Sequence, residues 1–210
     1  MKNLLLLFSI AFLLTACEKG KPATEKSLSK TDSADWKPVD SATAMKAWME
    51  YATPGDMHKT LAAYDGNWTG VTQMWMEEGA QPVTSQSECT NKMIFGGRYQ
   101  QSSYKGNFMG MPFEGISFIG YDNSKKKFVS TWIDNMGTGI MHAEGDWNPS
   151  KKSIEFKGKM TDPARPGKDC DFREVYTFND ASTHTMEMYG PNSKTGKEYK
   201  TMEIKFTKKK

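Results

Sequence analysis

The sequence predicts an all-β fold in which about ten antiparallel strands run up and down in chain order and close into a barrel, preceded by one or two short helices. Three observations support this prediction. From Gly66 onward, apolar and polar residues alternate as they do in strands with one buried face. Turn-forming residues interrupt the alternation at short intervals, and no helical periodicity separates the strands. Closure would also remove edge strands, which otherwise promote aggregation. A β-sandwich shares this strand pattern and stays open as an alternative.

Residues 1–16 have the features of a signal peptide: a basic Lys2, an apolar run, and small residues before a cleavage point. The apolar run is too short to span a bilayer as a mature helix. The letters LTAC at 14–17 resemble the bacterial lipobox, whose cysteine is lipidated and becomes the first mature residue. The resemblance implies acyl chains on Cys17, and two or more chains anchor a protein stably in a membrane. Glu18 stands where an aspartate would favour the inner membrane, so we expect a protein of the bacterial cell envelope that is anchored in the outer membrane.

Residues 17–39 are rich in Lys, Ser, Thr, Asp and Pro, a composition typical of flexible tethers. Residues 40–65 are predicted to be a helical segment. Its first helix is expected over 41–53, where Asp40 or Ser41 can cap the start and apolar residues share one face. A shorter second helix follows and leads directly into the first strand. Both helices are too short to be stable alone, so they are expected to pack against the rest of the domain. The second helix is expected to pack against the mouth or base of the barrel.

The barrel domain is predicted over residues 66–208. Its strands are expected near 66–76, 83–94, 98–108, 111–122, 126–136, 138–148, 152–161, 169–180, 183–191 and 197–208. A barrel of about eight strands can just be filled by its own side chains, so about ten strands are expected to leave a cavity. The pattern does not fix the inward face of the first, fourth and fifth strands. The net charge of +3 is too balanced to indicate nucleic-acid binding.

Several stretches of the sequence resemble known proteins. Gly66-Asn67-Trp68 is similar to the Gly-x-Trp of the calycin superfamily, which includes lipocalins, fatty-acid-binding proteins and nitrobindins. Five stretches together resemble one bacterial family, the domain of unknown function numbered 1579: HKTLAAYDGNWTG (58–70), MIFGGRYQQ (93–101), PFEGISFIGYDN (112–123), STWIDNMGTGI (130–140) and KTMEIKFTK (200–208). This resemblance covers roughly residues 57–208. It implies a calycin-like barrel and no particular activity.

The calycin resemblance also implies a structural role for the tryptophan of the first strand. In lipocalins a basic residue near the end of the barrel stacks on this tryptophan, and Lys205 or Lys208 could do so here. Gly66, Trp68 and Lys205 are therefore expected to build the floor of the barrel and not to contact a ligand.

Catalytic motifs are missing from the sequence. It has no Gly-x-Ser-x-Gly elbow, no His-Glu-x-x-His, no Walker loop and no Cys-x-x-Cys. The sequence therefore predicts a binding protein and not an enzyme.

Methionine, histidine and cysteine leave three questions open. Residues two apart on a strand share a face, and three Met-x-Met pairs have this spacing: Met74/Met76, Met109/Met111 and Met186/Met188. Their thioethers could bind Cu(I) or, more simply, line an irregular apolar cavity. His184 shares the face of the last pair, and it could ligate haem or copper or be a buried imidazole with satisfied hydrogen bonds. Cys89 and Cys170 could form a disulfide in an oxidising compartment, but their spacing does not show that the sulfurs meet.

We therefore expect a lipid-anchored, periplasm-facing protein that holds a small hydrophobic or amphipathic molecule in its barrel. The predicted apolar lining consists of Trp75, Phe113, Tyr121, Trp132, Met186 and Met188. The predicted polar anchors are Arg98, Glu114, Arg173 and His184. No cofactor is expected. Two other classes stay open: a copper or haem binding module, and a non-catalytic interaction scaffold of the envelope whose barrel is filled by side chains.

Overall fold

The structure of the protein, a computed structural model, describes residues 37–210. The predicted signal peptide, Cys17 and the tether up to residue 36 lie outside the described residues. Two helices come first, α1 (Ser41–Ala52) and α2 (Asp56–Ala62). Ten strands follow: β1 (Gly66–Met74), β2 (Val83–Ile94), β3 (Tyr99–Phe108), β4 (Met111–Asp122), β5 (Lys127–Asp134), β6 (Met141–Asn148), β7 (Ser153–Thr161), β8 (Asp169–Phe178), β9 (Thr183–Pro191) and β10 (Glu198–Lys208).

The strands form one closed barrel in which each strand pairs antiparallel with the next strand in the chain. The last strand, β10, returns to pair with β1, so that Trp68 lies opposite Lys208 and Met74 opposite Met202. The predicted all-β, up-and-down antiparallel barrel is therefore confirmed. It follows from the alternation of apolar and polar residues, because only closure lets every strand bury one face without leaving an edge.

One strand boundary differs clearly from the prediction. Strand β6 begins at Met141 and not near residue 138, because residues after β5 form a hydrogen-bonded loop. The Asp134 carboxylate accepts hydrogen bonds from the backbone N–H groups of Met136 and Gly137, at 2.8 and 3.1 Å. An aspartate that satisfies nearby backbone donors in this way stabilises a turn at the expense of a strand.

Helix α2 closes one end of the barrel, as predicted for the segment that leads into β1. Its buried residues are His58 and Leu61, and the Leu61 carbonyl accepts a hydrogen bond of 2.7 Å from Gln100 Nε2 on β3. Just after the helix, the Tyr64 carbonyl accepts a second inter-element bond, of 3.1 Å, from Asn91 Nδ2 on β2. These bonds attach the end of the helix and the residues after it to β2 and β3, and so hold the helix across the barrel end.

Helix α1 is capped as predicted but does not bury its apolar face. The Asp40 carboxylate accepts hydrogen bonds of 3.0 Å from the backbone N–H groups of Ala42 and Thr43. No residue of the helix is buried, and Trp48 at the centre of its apolar stripe is 59% exposed. Its C-terminal end is attached to the β4–β5 turn through Asn123, whose amide donates to nearby backbone carbonyls. Among the described residues, no helix is both long and apolar enough to cross a membrane.

The interior of the barrel is densely filled at the end that α2 closes. Its fully buried large side chains include Trp68, Phe128, Phe156 and Phe206. Glycines on the inner face make room for some of these rings. A Cβ atom at Gly145 would lie 2.7 Å from the ring of Phe156, closer than real Cβ atoms approach. The core of the domain therefore lies in this half, and the interior is less densely filled toward the other end.

Candidate ligand-binding site

A cavity of about 250 Å³ lies inside the barrel, in the half opposite α2. Strand alternation decides which side chains point into the barrel at this end. Most of them are long and flexible, and they do not fill the space. Six methionines line it: Met74, Met136, Met141, Met186, Met188 and Met202. Five aromatic residues complete the apolar lining: Tyr104, Phe108, Phe113, Trp132 and Tyr176. Unbranched thioether side chains adapt to the shape of an apolar guest, so this lining suits a small hydrophobic molecule.

One wall of the cavity is a rigid aromatic cluster around Trp132. The ring of Phe113 stacks on Trp132 with centroids 6.2 Å apart, and Tyr104 meets it edge-on at 5.2 Å. The indole Nε1 donates a hydrogen bond of 2.6 Å to Asp134 Oδ2. A Cβ at Gly115 would lie 2.5 Å from the indole, so only glycine leaves space for the ring in this position. The wall is held in place before any ligand arrives.

Glu174 is the second carboxyl group of the cavity, and it has no partner. On the neighbouring strands it lies opposite Phe156 of β7 and Met188 of β9. Within residues 37–210 its carboxylate makes neither a hydrogen bond nor an ion pair. Burial away from water raises its pKa from the ordinary value to about 7. The carboxyl group is therefore divided between its neutral and charged forms near neutral pH.

Two tyrosines share the interior with Glu174. Burial raises the pKa of Tyr104 and of Tyr176 well above the usual value, so both hydroxyls stay neutral. They can donate hydrogen bonds to a polar group in the cavity. No lysine, arginine or histidine belongs to the described lining. The cavity is thus an apolar space with neutral hydroxyls and two acidic groups.

The structure brings four of the predicted lining residues together. Phe113, Trp132, Met186 and Met188 all line the cavity. Tyr121 also points into the barrel, but it belongs to the filled half, where its ring meets that of Phe128 at 5.0 Å.

His184 lies in the floor beneath the cavity and does not line it. Its imidazole stacks on Phe206 and meets Trp68 edge-on, both at 4.4 Å between centroids. Burial lowers its pKa to about 4, so the ring is neutral at physiological pH. Its Nδ1 atom has no hydrogen-bond partner in the described part of the chain. Because the imidazole is covered by these rings and is not part of the cavity lining, the predicted role of His184 as a polar anchor in the cavity is wrong.

Four further residues that were predicted to contact the ligand lie outside the cavity, so these predictions are wrong: Trp75, Arg98, Glu114 and Arg173. Trp75 follows the end of β1 on the outer face, with Lys200 Nζ 5.2 Å from its ring centre. Arg98 is in the β2–β3 turn, where its guanidinium donates to the Phe95 carbonyl.

Glu114 and Arg173 point outward from their strands. Glu114 is exposed and pairs with Lys105, with Oε1 and Nζ 3.5 Å apart. Arg173 pairs with Glu198 at 2.8 Å and covers the ring of Tyr189 at 3.8 Å. In both strands the inward residue is the immediate neighbour, Phe113 or Glu174, because successive side chains on a strand point to opposite faces.

The basic residue above Trp68 is Lys208 and not Lys205. Lys208 Nζ lies 5.3 Å from the ring centre of Trp68, whereas Lys205 is exposed and pairs with Glu203 at 3.0 Å. Trp68 itself is fully buried, and its Nε1 donates a hydrogen bond of 3.0 Å to the Tyr64 carbonyl. Gly66 has a φ of 127°, a conformation that glycine adopts readily, at the junction between the helical segment and β1.

Sequence reasoning missed Glu174, although a signal for it was present. Every second residue from Cys170 to Phe178 points inward, and the inward series reads Cys, Phe, Glu, Tyr, Phe. A single glutamate on an otherwise apolar strand face is unusual, because burying a carboxyl group without a partner is unfavourable.

Both Cys89 and Cys170 are free thiols. The Cys89 Sγ donates to Asn91 Oδ1 at 3.1 Å, and burial raises the pKa of the thiol to about 12. Within residues 37–210, no three His, Cys, Asp or Glu side chains are grouped so that they could hold a metal ion. Of the Met-x-Met pairs, only Met186/Met188 places both thioethers in the cavity.

A closed ten-stranded antiparallel barrel with a helix across one end and an apolar cavity in the other half defines the class of this protein as a small cavity-containing β-barrel. The chain belongs to the family described as protein of unknown function (DUF1579), whose sequence profile matches residues 53–208. The predicted membership is confirmed.

Comparison with solved structures supports the fold. The barrel is similar to the crystal structure of Rv2717c from M. tuberculosis, with a TM-score of 0.57 and 10% sequence identity, over 75% of this chain and 100% of that chain. At this identity the similarity shows a shared fold alone. No curated protein matches the sequence.

Proposed function

We propose that the barrel binds a small hydrophobic or amphipathic molecule in the cavity opposite α2. The observation that supports the proposal is the lining itself, in which methionines and aromatic rings surround a space of about 250 Å³. Burial of apolar ligand surface there stabilises the complex by roughly 25 cal/mol per Å². The volume is just below the range of about 300–1,000 Å³ found for drug-sized ligands, so the guest is small.

The proposed location is the bacterial cell envelope, with Cys17 acylated and the barrel facing the periplasm. The support is the lipobox-like sequence LTAC at the end of an apolar leader. Replacement of Cys17 by serine is expected to move the protein from the membrane fraction to the soluble periplasmic fraction, because the acyl chains provide the attachment. Immunoblots of fractionated cells measure this. An unchanged membrane fraction in the Cys17→Ser strain would contradict the proposed anchor.

The binding proposal is tested by blocking the cavity. We expect 1-octanol to bind the wild-type barrel domain with a Kd below about 1 mM, and Met188→Trp to weaken it at least tenfold because the indole occupies the cavity. Isothermal titration calorimetry measures both. Tyr189→Trp is the matched control, since the same side chain is added at the next residue of β9, outside the cavity beside Arg173. Equal binding by the two tryptophan variants, or no octanol binding by the wild type, would refute the proposal.

A second candidate function, soft-metal binding, is favoured by the six thioethers that surround one cavity. Thioethers bind Cu(I) in preference to harder cations. Met188→Leu distinguishes the candidates, because leucine keeps the lining apolar but removes a sulfur ligand. The apolar-ligand proposal expects unchanged octanol affinity in this variant, whereas a copper site would lose Cu(I) measured against a competing chelator.

A further inference from the structure

Among the described residues, the ionisable groups of the cavity include acidic side chains but no basic ones. Its described lining contains two carboxyl groups, Asp134 and Glu174, and no basic side chain. Asp134 is already engaged, because it accepts hydrogen bonds from the Trp132 indole and from two backbone N–H groups. Glu174 has no such partner. A buried carboxylate without a partner is unfavourable. The described interior therefore lacks a cation or hydrogen-bond donor beside Glu174.

We propose that the ligand is a small organic amine whose positively charged nitrogen pairs with Glu174 while its apolar part packs against the methionines and aromatic rings. This inference rests on the proposed binding function and specifies the ligand class of the same site. It makes Glu174 the residue that selects the ligand by charge.

The protein itself supplies no cation to Glu174. Its cross-strand neighbours, Phe156 of β7 and Met188 of β9, carry no charge. The titratable groups that line the cavity with it are Tyr104 of β3, Tyr176 of β8 and Asp134 at the end of β5, which are neutral or acidic. The buried His184 beneath the cavity is neutral at physiological pH, because burial lowers its pKa to about 4. The adjacent Arg173 points to the outer wall, where Glu198 engages it at 2.8 Å. A cation that pairs with Glu174 therefore comes from the ligand.

The remaining lining is suited to a cationic nitrogen and unsuited to an anion. The faces of Trp132 and Tyr104 can attract an ammonium group through their π electrons. A carboxylate ligand would meet two acidic side chains in a poorly hydrated space, and their like charges would repel it. A neutral ligand could enter, but it would leave Glu174 unpaired.

Three probes of similar shape test the inference: octylamine, 1-octanol and octanoate, titrated calorimetrically into the wild-type barrel domain at pH 8. We expect octylamine to bind at least tenfold more tightly than 1-octanol, and octanoate at least tenfold more weakly. In Glu174→Gln, which preserves shape but removes the charge, octylamine and 1-octanol should bind with similar affinity. Glu114→Gln is the matched control, because that glutamate is on the outer wall with Lys105, and it should behave as the wild type.

The outcomes separate this inference from the function on which it rests. If 1-octanol binds and octylamine binds no better, or if Glu174→Gln leaves the amine preference unchanged, the inference is wrong and the apolar cavity remains. If none of the probes binds, the proposed function itself is wrong.

The pH dependence gives a second readout. The pKa of Glu174 is about 7, so its charged form increases about tenfold between pH 6 and pH 8. Octylamine affinity should rise by about this factor in the wild type and stay constant in Glu174→Gln. The affinity for 1-octanol should not rise with pH in either protein. A wild-type octylamine affinity that does not change between pH 6 and pH 8 would overturn the inference.

Discussion

Replacement of Trp68 by alanine is expected to lower the free energy of unfolding by about 4 kcal/mol, because it removes a fully buried indole from the floor of the barrel. A loss of this size is a large fraction of the stability of a typical domain. The variant should therefore unfold at markedly lower urea concentration, and expression yield should fall with it.

The size of this effect follows from the contacts of the ring. The indole stacks near Tyr64 and meets His184 edge-on, and its Nε1 donates to the Tyr64 carbonyl at 3.0 Å. Alanine would leave a cavity between these groups that the stiff barrel wall cannot close. The Tyr64 carbonyl would keep the Asn91 hydrogen bond, so the loss is mainly one of packing.

Urea unfolding followed by circular dichroism measures the effect, and the chain provides two controls. Trp75→Ala removes the same side chain from the outer wall, where it is only half-buried beneath Lys200, and should cost no more than about 1–2 kcal/mol. Lys208→Ala removes the cation above Trp68 and should cost about 1 kcal/mol or less. Comparable losses for Trp68→Ala and Trp75→Ala would show that Trp68 does not hold the floor together.

The barrel could be predicted because its signals are repeated in every strand. In β7 and β10 apolar residues alternate regularly with charged ones, and turn residues mark where each strand ends. An error of one or two residues at a strand end does not change such a prediction. The start of β6 differs from the prediction because the side chain of Asp134 caps nearby backbone groups in the loop after β5, and this contact competes with strand pairing.

The site was harder to predict because it depends on which of two adjacent residues points inward. Arg173 and Glu174 are both charged, and composition alone does not decide between them. Phe172 and Tyr176 show that Glu174 is the inward residue, because residues two apart on a strand share a face. At Phe113 and Glu114 the strand is near its end, where few neighbours define the alternation. A shift of one residue in the predicted alternation exchanges the two faces of a strand. Glu114 and Arg173 were therefore predicted to point inward although they point outward.

The placement of His184 and Tyr121 shows a second limit. Both residues point inward, but the sequence does not show how far along the barrel the filled half extends. That depth is set by α2 and by the rings around Trp68, which meet only after ten strands have closed. The boundary between core and cavity is therefore a tertiary property.

The stability of the wild type relative to Glu174→Gln should fall as pH rises from about 4.5 to 7, because the contribution of Glu174 to stability is lost over this interval. The folded-state pKa of Glu174 is about 7, above its ordinary value of 4.5. Over this interval Glu174 is protonated in the folded protein and ionised in the unfolded chain, so the stabilisation that this residue contributes below pH 4.5 is lost as pH rises. The full loss above pH 7 is about 3 kcal/mol.

Glu174→Gln should therefore be more stable than the wild type at pH 8, by roughly 6–12 °C in Tm, and nearly equal to it at pH 4.5. Thermal unfolding at both pH values measures the difference. Glu114→Gln is the control and should follow the wild type, because its carboxyl group is exposed. Parallel curves for the wild type and Glu174→Gln would mean that Glu174 is not held in an unfavourable environment.

His184 acts in the opposite direction, and comparison of the two proteins cancels its effect. Its pKa is lowered to about 4 in the folded state, so stability should also be lost as pH falls from about 6.5 to 4. Wild type and Glu174→Gln both contain this histidine, and only the difference between them isolates Glu174. Saturation with octylamine at pH 8 should reduce that difference, because an ammonium group beside the carboxylate removes the penalty of burying its charge. The same residue would then account for the lower stability of the ligand-free wild type relative to Glu174→Gln at pH 8 and for the selection of a cationic ligand.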